Sequence, residues 1–339
     1  MNRLSIAVIG SGISALSAAW HLSRQHRVTL FERDNRVGGH SNTVDVNTRD
    51  GSVRVDTGFI VFNPASYPNL VALFDHLGVD TPDTNMTFSA SLDEGRYEYS
   101  GSGARGLFGQ MSNLVSPGHW RMIADISRFF KQAGEDASGI GVSLSLGDWL
   151  RQNSYSEAFV RNHLTPIAAA IWSTPSAQVL DFPAASFMRF FANHGLLKVR
   201  NRPSWRTVAG GSRQYVQKLI AEGQFATRTD CGITGVSRQP GGVTITDRHG
   251  RQHRFDHVVI GTHADEALAM LDDADAMESD LLGPFGYSEN LAVLHTDPAH
   301  MPTRRRLWSS WNYIERADRE GDKQLTVSYW MNALQPLKT

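Results

Sequence analysis

The chain has 339 residues, a length that suits two joined domains. Its 33 lysines and arginines nearly balance 34 acidic residues, so the net charge of −1 gives no reason to expect nucleic acid or an anionic surface as a partner. Cys231 is the only cysteine, which excludes intrachain disulfides and cysteine-ligated metal clusters and favours a reducing, cytoplasmic location. No apolar run approaches the length of a membrane span.

The N-terminal segment begins with the pattern of a dinucleotide-binding unit. The apolar run Ile6–Ile9 predicts a buried parallel strand, and residues 10–15 read G-x-G-x-x-A. Gly10 suits the tight turn, and Gly12 lets the backbone approach a pyrophosphate. The small Ala15 lets the following helix pack closely on the strand. These features together predict a strand, a phosphate-binding turn and a helix.

The helix and the next strand complete this pattern. At the helix N-terminus, Ile13 and Ser14 would present N–H groups and the positive end of the helix dipole to phosphates. The second strand, Arg27–Phe31, ends on Glu32, whose carboxylate could accept both hydroxyls of an adenosine ribose. An acid at this position argues against a 2′-phosphate on that ribose.

A second glycine pair decides which dinucleotide is expected. Arg33 follows the ribose acid, and Gly38-Gly39-His40 comes shortly after it. A nicotinamide-dependent dehydrogenase has no need of this pair. The segment resembles the E-x-x-x-x-x-G-G signature of the flavin amine oxidase and phytoene desaturase superfamily, in which the pair contacts the pyrophosphate of FAD. His40 replaces the arginine that is common after the pair, and a neutral imidazole can still donate to a phosphate oxygen.

Further segments resemble the same superfamily, namely Val55–Phe59, Trp205–Ser212 and Phe255–Ala264. Other motifs resemble a subgroup of bacterial predicted FAD/NAD-binding amine-oxidase-like proteins that are often linked with cyclopropane fatty acid synthases, namely Gly38–His40, Asp56–Asn63, Tyr67–Leu70 and Trp308–Tyr313. Family members continue past the position of Thr339 with another strand and a helix. The resemblance therefore predicts that the sequence is truncated at its C-terminus.

The resemblance implies an α/β fold with a Rossmann-like, glutathione-reductase-type FAD-binding domain and an interleaved α+β substrate domain. The FAD-binding domain is expected at residues 1–65 and 205–280, with a C-terminal segment missing, and the substrate domain at 66–204 and 281–339. By the same resemblance, residues 57–60 and Gly211 would approach the flavin, and the main chain of Ile233 would meet the adenine. The predicted FAD-binding residues are Gly10, Gly12, Ile13, Ser14, Ala15, Glu32, Arg33, Gly38, Gly39, His40, Thr57, Gly58, Phe59, Ile60, Gly211, Ile233 and Thr262.

Hydrophobic periodicity predicts the remaining elements. We expect a helix from Pro68 to Leu77, a hairpin within residues 86–99 and helices between 117 and 172 with a break at Pro166. A phenylalanine-rich helix should open at Phe182-Pro183. Such helices could line an oily tunnel or lie on a membrane surface, but ordinary core packing is the simpler interpretation. Strands are expected near Leu291–Leu294 and Leu325–Met331.

Two clusters of basic residues have simple explanations. His249, His253 and His257 are spaced by four, but Gly250 argues against a helix there, so a surface hairpin is favoured over a metal site. The run Arg304-Arg305-Arg306 predicts a solvated loop. The sequence therefore predicts no metal site.

The leading hypothesis for function is an FAD-dependent oxidoreductase that removes a hydride from a C–N or C–C bond. Its small-molecule substrate would be an amine or an acyl or isoprenoid lipid chain, and the phenylalanine-rich helices weakly favour the lipid. The sequence assigns no catalytic residue. Aromatic and polar residues on the last predicted strands could wall a pocket or belong to the core, namely Trp311, Asn312, Tyr313, Tyr329 and Trp330. Two alternatives stay open: a truncated, non-catalytic flavin- or ADP-binding protein, and an NAD-dependent dehydrogenase.

Overall fold

The computed structural model describes residues 3–49, 51–136, 139, 141, 143–172, 176–198, 202–317 and 323–337. Its strands are β1 (Ser5–Ile9), β2 (Arg27–Phe31), β3 (Thr43–Thr48), β4 (Gly51–Asp56), β5 (Asp83–Thr84), β6 (Phe88–Leu92), β7 (Tyr97–Ser100), β8 (Trp205–Arg206), β9 (Phe225–Arg228), β10 (Ile233–Gln239), β11 (Gly242–Asp247), β12 (Gln252–Phe255), β13 (His257–Ile260), β14 (Trp311–Ala317) and β15 (Lys323–Tyr329).

The α-helices are α1 (Ile13–Leu22), α2 (Pro68–Leu77), α3 (Gly103–Leu107), α4 (Pro117–Asp136), α5 (Leu146–Gln152), α6 (Glu157–Phe159), α7 (Thr165–Trp172), α8 (Ser176–Val179), α9 (Ala184–Asn193), α10 (Arg213–Glu222), α11 (Ala264–Met270), α12 (Ala276–Leu282) and α13 (Met331–Leu334). Short 3-10 helices cover Asp93–Gly95, Met111–Val115, Pro298–His300 and Arg305–Leu307, and a π-helical segment covers Val160–Leu164.

The chain divides into two compact units, each assembled from separated segments. Unit 1 comprises Met1–Ile60, Ala72–Asp80 and Val208–Ala292, and unit 2 comprises Val61–Val71, Thr81–Thr207 and Val293–Thr339. The sequence-based division has boundaries after residues 65, 204 and 280, whereas the compact units change after residues 60, 207 and 292, with 72–80 added to unit 1. The assignment of cofactor and substrate to these parts stays a prediction.

Unit 1 is built on a parallel sheet in the order β13-β1-β2-β9. Ala7, Val8 and Leu30 on its central strands are fully buried, as expected for parallel strands covered on both faces. Helix α1 joins β1 to β2 and buries Ala15 and Leu16. An antiparallel sheet, β10-β11-β12, and the hairpin β3-β4 complete the strands. The predicted strand–turn–helix–strand unit and the α/β class are confirmed.

Unit 2 contains a sheet in the order β15-β14-β6-β7, in which β14 runs parallel to β6 and the other pairs are antiparallel. The helices α4 to α9 enclose an aromatic core. Phe129, Phe159, Phe187 and Phe191 are each at most 2% exposed in this cluster. The phenylalanine-rich helices therefore form ordinary core, the simpler of the two interpretations.

The predicted break at Pro166 lies inside a continuous helical segment. Pro166 occupies the second position of α7, directly after the π-helical Val160–Leu164. A proline lacks an N–H group, and its ring crowds the carbonyl four residues earlier, which here belongs to Asn162 within the π segment. The wider helical turn relieves that crowding without ending the helix.

One local prediction is wrong, and another is correct only in part. Leu291–Leu294 is not a strand: Leu291 is 93% exposed, and the described residues provide no ladder partner for the segment. The predicted solvated loop at Arg304-Arg305-Arg306 is partly correct: Arg305 and Arg306 are exposed, but the guanidinium of the half-buried Arg304 pairs with the buried carboxylate of Glu98 at 2.7 Å. Glu98 and Arg304 are 206 residues apart in the sequence, so local charge patterning could not predict the pair. The predicted histidine hairpin is confirmed, since β11 and β12 pair across a turn and His253 contacts Asp247 at 3.1 Å.

Candidate cofactor site

The first glycine turn leads from β1 into α1. Gly10 has a φ of +90°, a conformation that residues with side chains rarely adopt. Its N–H donates to the carbonyl of Phe31 at 2.9 Å, and a Cβ built on it would lie 3.0 Å from the oxygen of Gly261. Gly12 differs, because a Cβ built there has no heavy atom within 4 Å. The space over Gly12 is therefore open, and the helix that begins after it has N–H groups without intrahelical partners.

The second glycine turn meets the first. Gly38 and Gly39 have φ values of +118° and +55°, so both use backbone conformations that favour glycine. The Gly38 N–H donates to the carbonyl of Ser11 at 3.1 Å. A Cβ built on Gly39 would lie 3.1 Å from the Cα of Gly12. The two turns therefore face each other at contact distance, and a larger residue at position 39 would push them apart.

The hydroxyl of Ser11 connects both turns to the acid at the end of β2. It donates to Oε2 of Glu32 and accepts the N–H of Gly38 at 3.1 Å. The Ser11 residue is only 1% exposed. Position 11 is an unspecified residue in the G-x-G-x-x-A pattern, so the motif did not predict this role. A hydroxyl between the glycines, together with an acid after the second strand, is the signal that could have identified it.

Glu32 is held in place but keeps acceptor capacity. The residue is 8% exposed, and its Oε1 accepts the N–H of Asp34 at 2.9 Å. Its main chain donates to Arg228 and accepts from Cys231, each at 2.8 Å. A carboxylate offers about four acceptor positions, of which Ser11 and Asp34 occupy one on each oxygen. The remaining positions suit the two hydroxyls of a ribose.

Two other predicted residues lie beside Glu32. Arg33 is exposed and pairs with Glu266, in the first turn of α11, at 2.6 Å. A Cβ built on Gly232 would lie 3.0 Å from the β-carbon of Arg33. Ile233, which follows and opens β10, is half-buried. The fold thus brings Glu32, Arg33 and Ile233 together from distant parts of the sequence.

The segment after β4 packs against His40. A Cβ on Gly58 would lie 2.2 Å from the His40 oxygen, so only glycine fits there. The N–H of Phe59 donates to the same oxygen at 2.7 Å, and the N–H of Thr57 donates to Asn42 at 2.9 Å. Three predicted residues, Thr57, Gly58 and Phe59, are thereby fixed to the second glycine turn.

Ile60 and Phe59 lie at the end of this segment. Ile60 is half-buried and is the last residue of its stretch of unit 1. The Phe59 ring contacts Tyr215 edge-on, with ring centroids 6.2 Å apart. Burial raises the pKa of Tyr215 to about 12, although its hydrogen bond with Ser41 acts in the opposite direction. The Tyr215 side chain is therefore neutral and serves as packing.

Asp56 has a structural role. The residue is 2% exposed, and its carboxylate accepts the N–H of Ser212 at 2.9 Å and the hydroxyls of Ser212 and Thr43 at 2.8 and 2.6 Å. These bonds fasten the start of α10 to the end of β4. Gly211, with a φ of +89°, would place a Cβ 2.4 Å from a methyl group of Thr43, so close packing requires glycine here.

A stack of aromatic rings borders the turns. His40 stacks with His263 at 6.2 Å between centroids, and His263 stacks with Tyr287 at 4.2 Å, with planes only 5° apart. The Tyr287 hydroxyl accepts the N–H of Ala264 at 3.0 Å. Thr262 lies next to this stack, and its methyl group is 3.3 Å from the position of a Cβ on Gly10. His263 and Tyr287 were not among the predicted residues.

The aromatic and polar residues of the last strands divide between core and surface. Asn312 and Tyr313 are 0% and 3% exposed, and the Asn312 amide donates to the carbonyls of Ser309 and Ser328. Both residues belong to the core of unit 2. Trp311 and Tyr329 pack edge-on at 5.3 Å, and Trp330 packs on Trp308 at 5.6 Å. Trp311, Tyr329 and Trp330 remain half-buried.

Neither a metal cluster nor a membrane-spanning helix occurs in the described part of the chain. Within residues 3–49, 51–136, 139, 141, 143–172, 176–198, 202–317 and 323–337, no three His, Cys, Asp or Glu side chains gather as metal ligands would. In the same ranges, no helix combines the length and the apolar character that crossing a bilayer requires.

The family model for flavin containing amine oxidoreductases matches residues 13–327. The chain belongs to this family. Membership confirms the predicted resemblance to the flavin amine oxidases and, with it, FAD as the cofactor of the family. No curated protein sequence gives a significant match.

Solved structures share the fold at low sequence identity. A fatty acid isomerase from P. acnes that produces CLA is 22% identical, with a TM-score of 0.53 over 83% of this chain and 63% of that one. Putrescine oxidase bound to putrescine is 16% identical, with a TM-score of 0.63 over 96% and 75%. Cyclohexylamine oxidase from Brevibacterium oxydans IH-35A is 17% identical, with a TM-score of 0.60 over 83% and 63%. The chain thus spans between 63% and 75% of the lengths of these proteins.

Proposed function

We propose that unit 1 holds FAD with its diphosphate between the two glycine turns. The proposal rests on the short distance between the two glycine turns, where a Cβ on Gly39 would lie 3.1 Å from the Cα of Gly12, and on the open space over Gly12. The N-terminus of α1 favours negative charge at this place, and Glu32 keeps acceptor positions for the adenosine ribose. The residues present therefore fit FAD, whereas an NAD-dependent dehydrogenase would leave the second glycine turn without a role.

The remaining predicted residues are proposed to orient the cofactor. Ile233 meets the adenine through its main chain, and His40 donates to a phosphate oxygen. The segment from Thr57 to Ile60 and the turn at Gly211 border the flavin, where their tight packing keeps the backbone rigid. When bound, FAD supplies a ring that accepts a hydride equivalent from the substrate. The protein contributes position, electrostatics and exclusion of water.

The proposed reaction is the removal of a hydride from a C–N or C–C bond of a small molecule, with unit 2 as the substrate domain. Two substrate classes have support. Putrescine oxidase and cyclohexylamine oxidase are named for amines, and the P. acnes isomerase is named for a fatty acid. The test uses the purified chain under anaerobic conditions, mixed separately with primary amines and with unsaturated fatty acids. Bleaching of the flavin absorbance by either class is the expected result.

The same experiment separates the alternatives. If FAD is extracted from the protein but no amine or fatty acid bleaches it, the non-catalytic flavin-binding alternative replaces the oxidoreductase. A chain that binds NAD and takes up no FAD would contradict the cofactor assignment itself.

Replacement of the ribose acid tests the binding mode. Glu32→Ala should weaken FAD binding about tenfold or more, because it removes charge-assisted hydrogen bonds to the ribose. FMN lacks the adenosine, so its weaker binding should not change. Equal losses for FAD and FMN in a titration of the apoprotein would contradict the ribose role of Glu32.

A further inference from the structure

An exposed apolar surface of unit 2 has no part in the proposed oxidation. Met111, Leu114 and Val115 lie on the 3-10 helix Met111–Val115, and Trp120 lies in the first turn of α4. Their exposed fractions are 65%, 42%, 83% and 49%. Single exposed hydrophobic residues are ordinary, but four of them within residues 111–120 form a surface that needs an explanation. We call these four residues the apolar patch.

A hydrogen bond joins Trp120 to the 3-10 helix that carries the other three residues. The indole N–H of Trp120 donates to the carbonyl of Leu114 at 2.9 Å, and its ring lies 4.9 Å from that of Phe108. The only hydrogen-bond donor of the indole is therefore satisfied inside the protein. What Trp120 presents to solvent is apolar ring surface.

The stretch of sequence that carries the patch has an excess of positive charge. From Tyr99 to Ala124 the sequence contains no aspartate or glutamate, and Arg105 and Arg121 are exposed. The next acid, Asp125, is only 3% exposed and is shared by Arg121 at 3.6 Å and Arg128 at 3.0 Å. Along the chain, the patch is thus flanked by exposed cations and by no exposed acid between Tyr99 and Asp125.

We propose that the apolar patch inserts into the headgroup boundary of an anionic lipid bilayer. Apolar side chains with a tryptophan, bordered by arginines and without acids, suit the interface between acyl chains and negative headgroups. A contact between two copies through this patch would instead bring Arg105 and Arg121 of both copies together, with no exposed acid from residues 99–125 to offset them. The net charge of −1 for the whole chain does not oppose this, since such attraction acts within a Debye length of about 10 Å.

The inference concerns a surface and does not depend on the flavin assignment. The test mixes the full chain with vesicles of phosphatidylcholine alone and with vesicles of equal parts phosphatidylcholine and phosphatidylglycerol, and measures co-sedimentation. Binding to the anionic vesicles is expected. Val115→Asp should reduce it about tenfold or more by placing a charge in the apolar boundary, and Arg105→Gln about fivefold by removing one headgroup attraction.

Leu291→Asp is the matched control, because it adds the same charge at a side chain that is 93% exposed and lies outside the patch. It should bind the vesicles like the wild type, and both aspartate variants should unfold at the wild-type temperature. Absence of binding to either vesicle, or equal loss in Val115→Asp and Leu291→Asp, would overturn the proposal. So would a dimer in solution that Val115→Asp converts to monomer, since a second copy would then cover the patch.

Discussion

At the residue scale, Ser11 is the most informative side chain that the motif did not identify. Its one hydroxyl both donates to Glu32 and accepts from Gly38. A hydroxyl can do both because it carries one donor and two acceptor positions. Ser11 is therefore a positioning residue, which fixes the ribose acid relative to the second glycine turn.

Replacement of this hydroxyl should loosen the cofactor site. We expect Ser11→Ala to weaken FAD binding roughly tenfold, because Glu32 loses a buried donor worth about 1–3 kcal/mol, while the Gly38 N–H keeps only the Ser11 carbonyl as its acceptor. Ser17→Ala is the matched control, since the Ser17 hydroxyl donates only within α1, to Ile13 and Ser14. Fluorescence titration of the apoproteins with FAD provides the measurement. Equal affinities of the two variants would contradict the positioning role.

At the element scale, buried carboxylates connect segments that are distant in sequence. Asp56 fastens β4 to the start of α10 within unit 1, and Glu98 fastens β7 to the loop around Arg304 within unit 2. Neither connection can be predicted from hydrophobic periodicity, because periodicity indicates only which face of a single helix or strand is buried.

Loss of the Asp56 carboxylate should destabilise unit 1 strongly. Asp56→Ala leaves the Ser212 N–H and two hydroxyl groups without their acceptor, so we expect a loss of about 3 kcal/mol in the free energy of unfolding. Asp45→Ala should cost less than about 1 kcal/mol, because Asp45 is an exposed partner of Arg213. Urea denaturation of both variants measures the difference. A similar midpoint for the two variants would show that the carboxylate does not fasten α10.

The half-buried His163 should make stability depend on pH. Burial, aided by the positive charge of Arg202, lowers its pKa from 6.5 to about 4. Above pH 6.5 neither the folded nor the unfolded chain protonates this group, but between 6.5 and 4 only the unfolded chain does so. The free energy of unfolding should therefore fall by up to about 3 kcal/mol as the pH drops through this range.

A substitution at His163 tests this dependence. In His163→Asn the fall should be shallower, because one titrating group is gone, whereas His249→Asn, at an exposed position, should retain the wild-type slope. Denaturation curves at several pH values provide the measurement. An unchanged slope in His163→Asn would contradict the prediction.

At the scale of the whole molecule, the sequence predicts the structure best where a local motif can form with only one backbone conformation. The turn at Gly10 and the glycine pair at Gly38 each need a backbone conformation that favours glycine, and the structure has both. The sequence predicts least where a contact joins distant segments, as between Arg304 and Glu98. The strand predicted near Leu291 is absent, because a segment with strand propensity forms a strand only when a neighbouring strand pairs with it.

FAD is proposed to lie over Gly12, and one pair of substitutions tests this position. A methyl group at position 12 meets no protein atom within 4 Å, and the same holds at Gly134 in α4, so both alanine variants should fold. Titration of the apoproteins with FAD should give wild-type affinity for Gly134→Ala and an affinity about tenfold or more lower for Gly12→Ala, whose methyl occupies the space of the diphosphate. Equal, wild-type FAD affinity in both variants would contradict the claim.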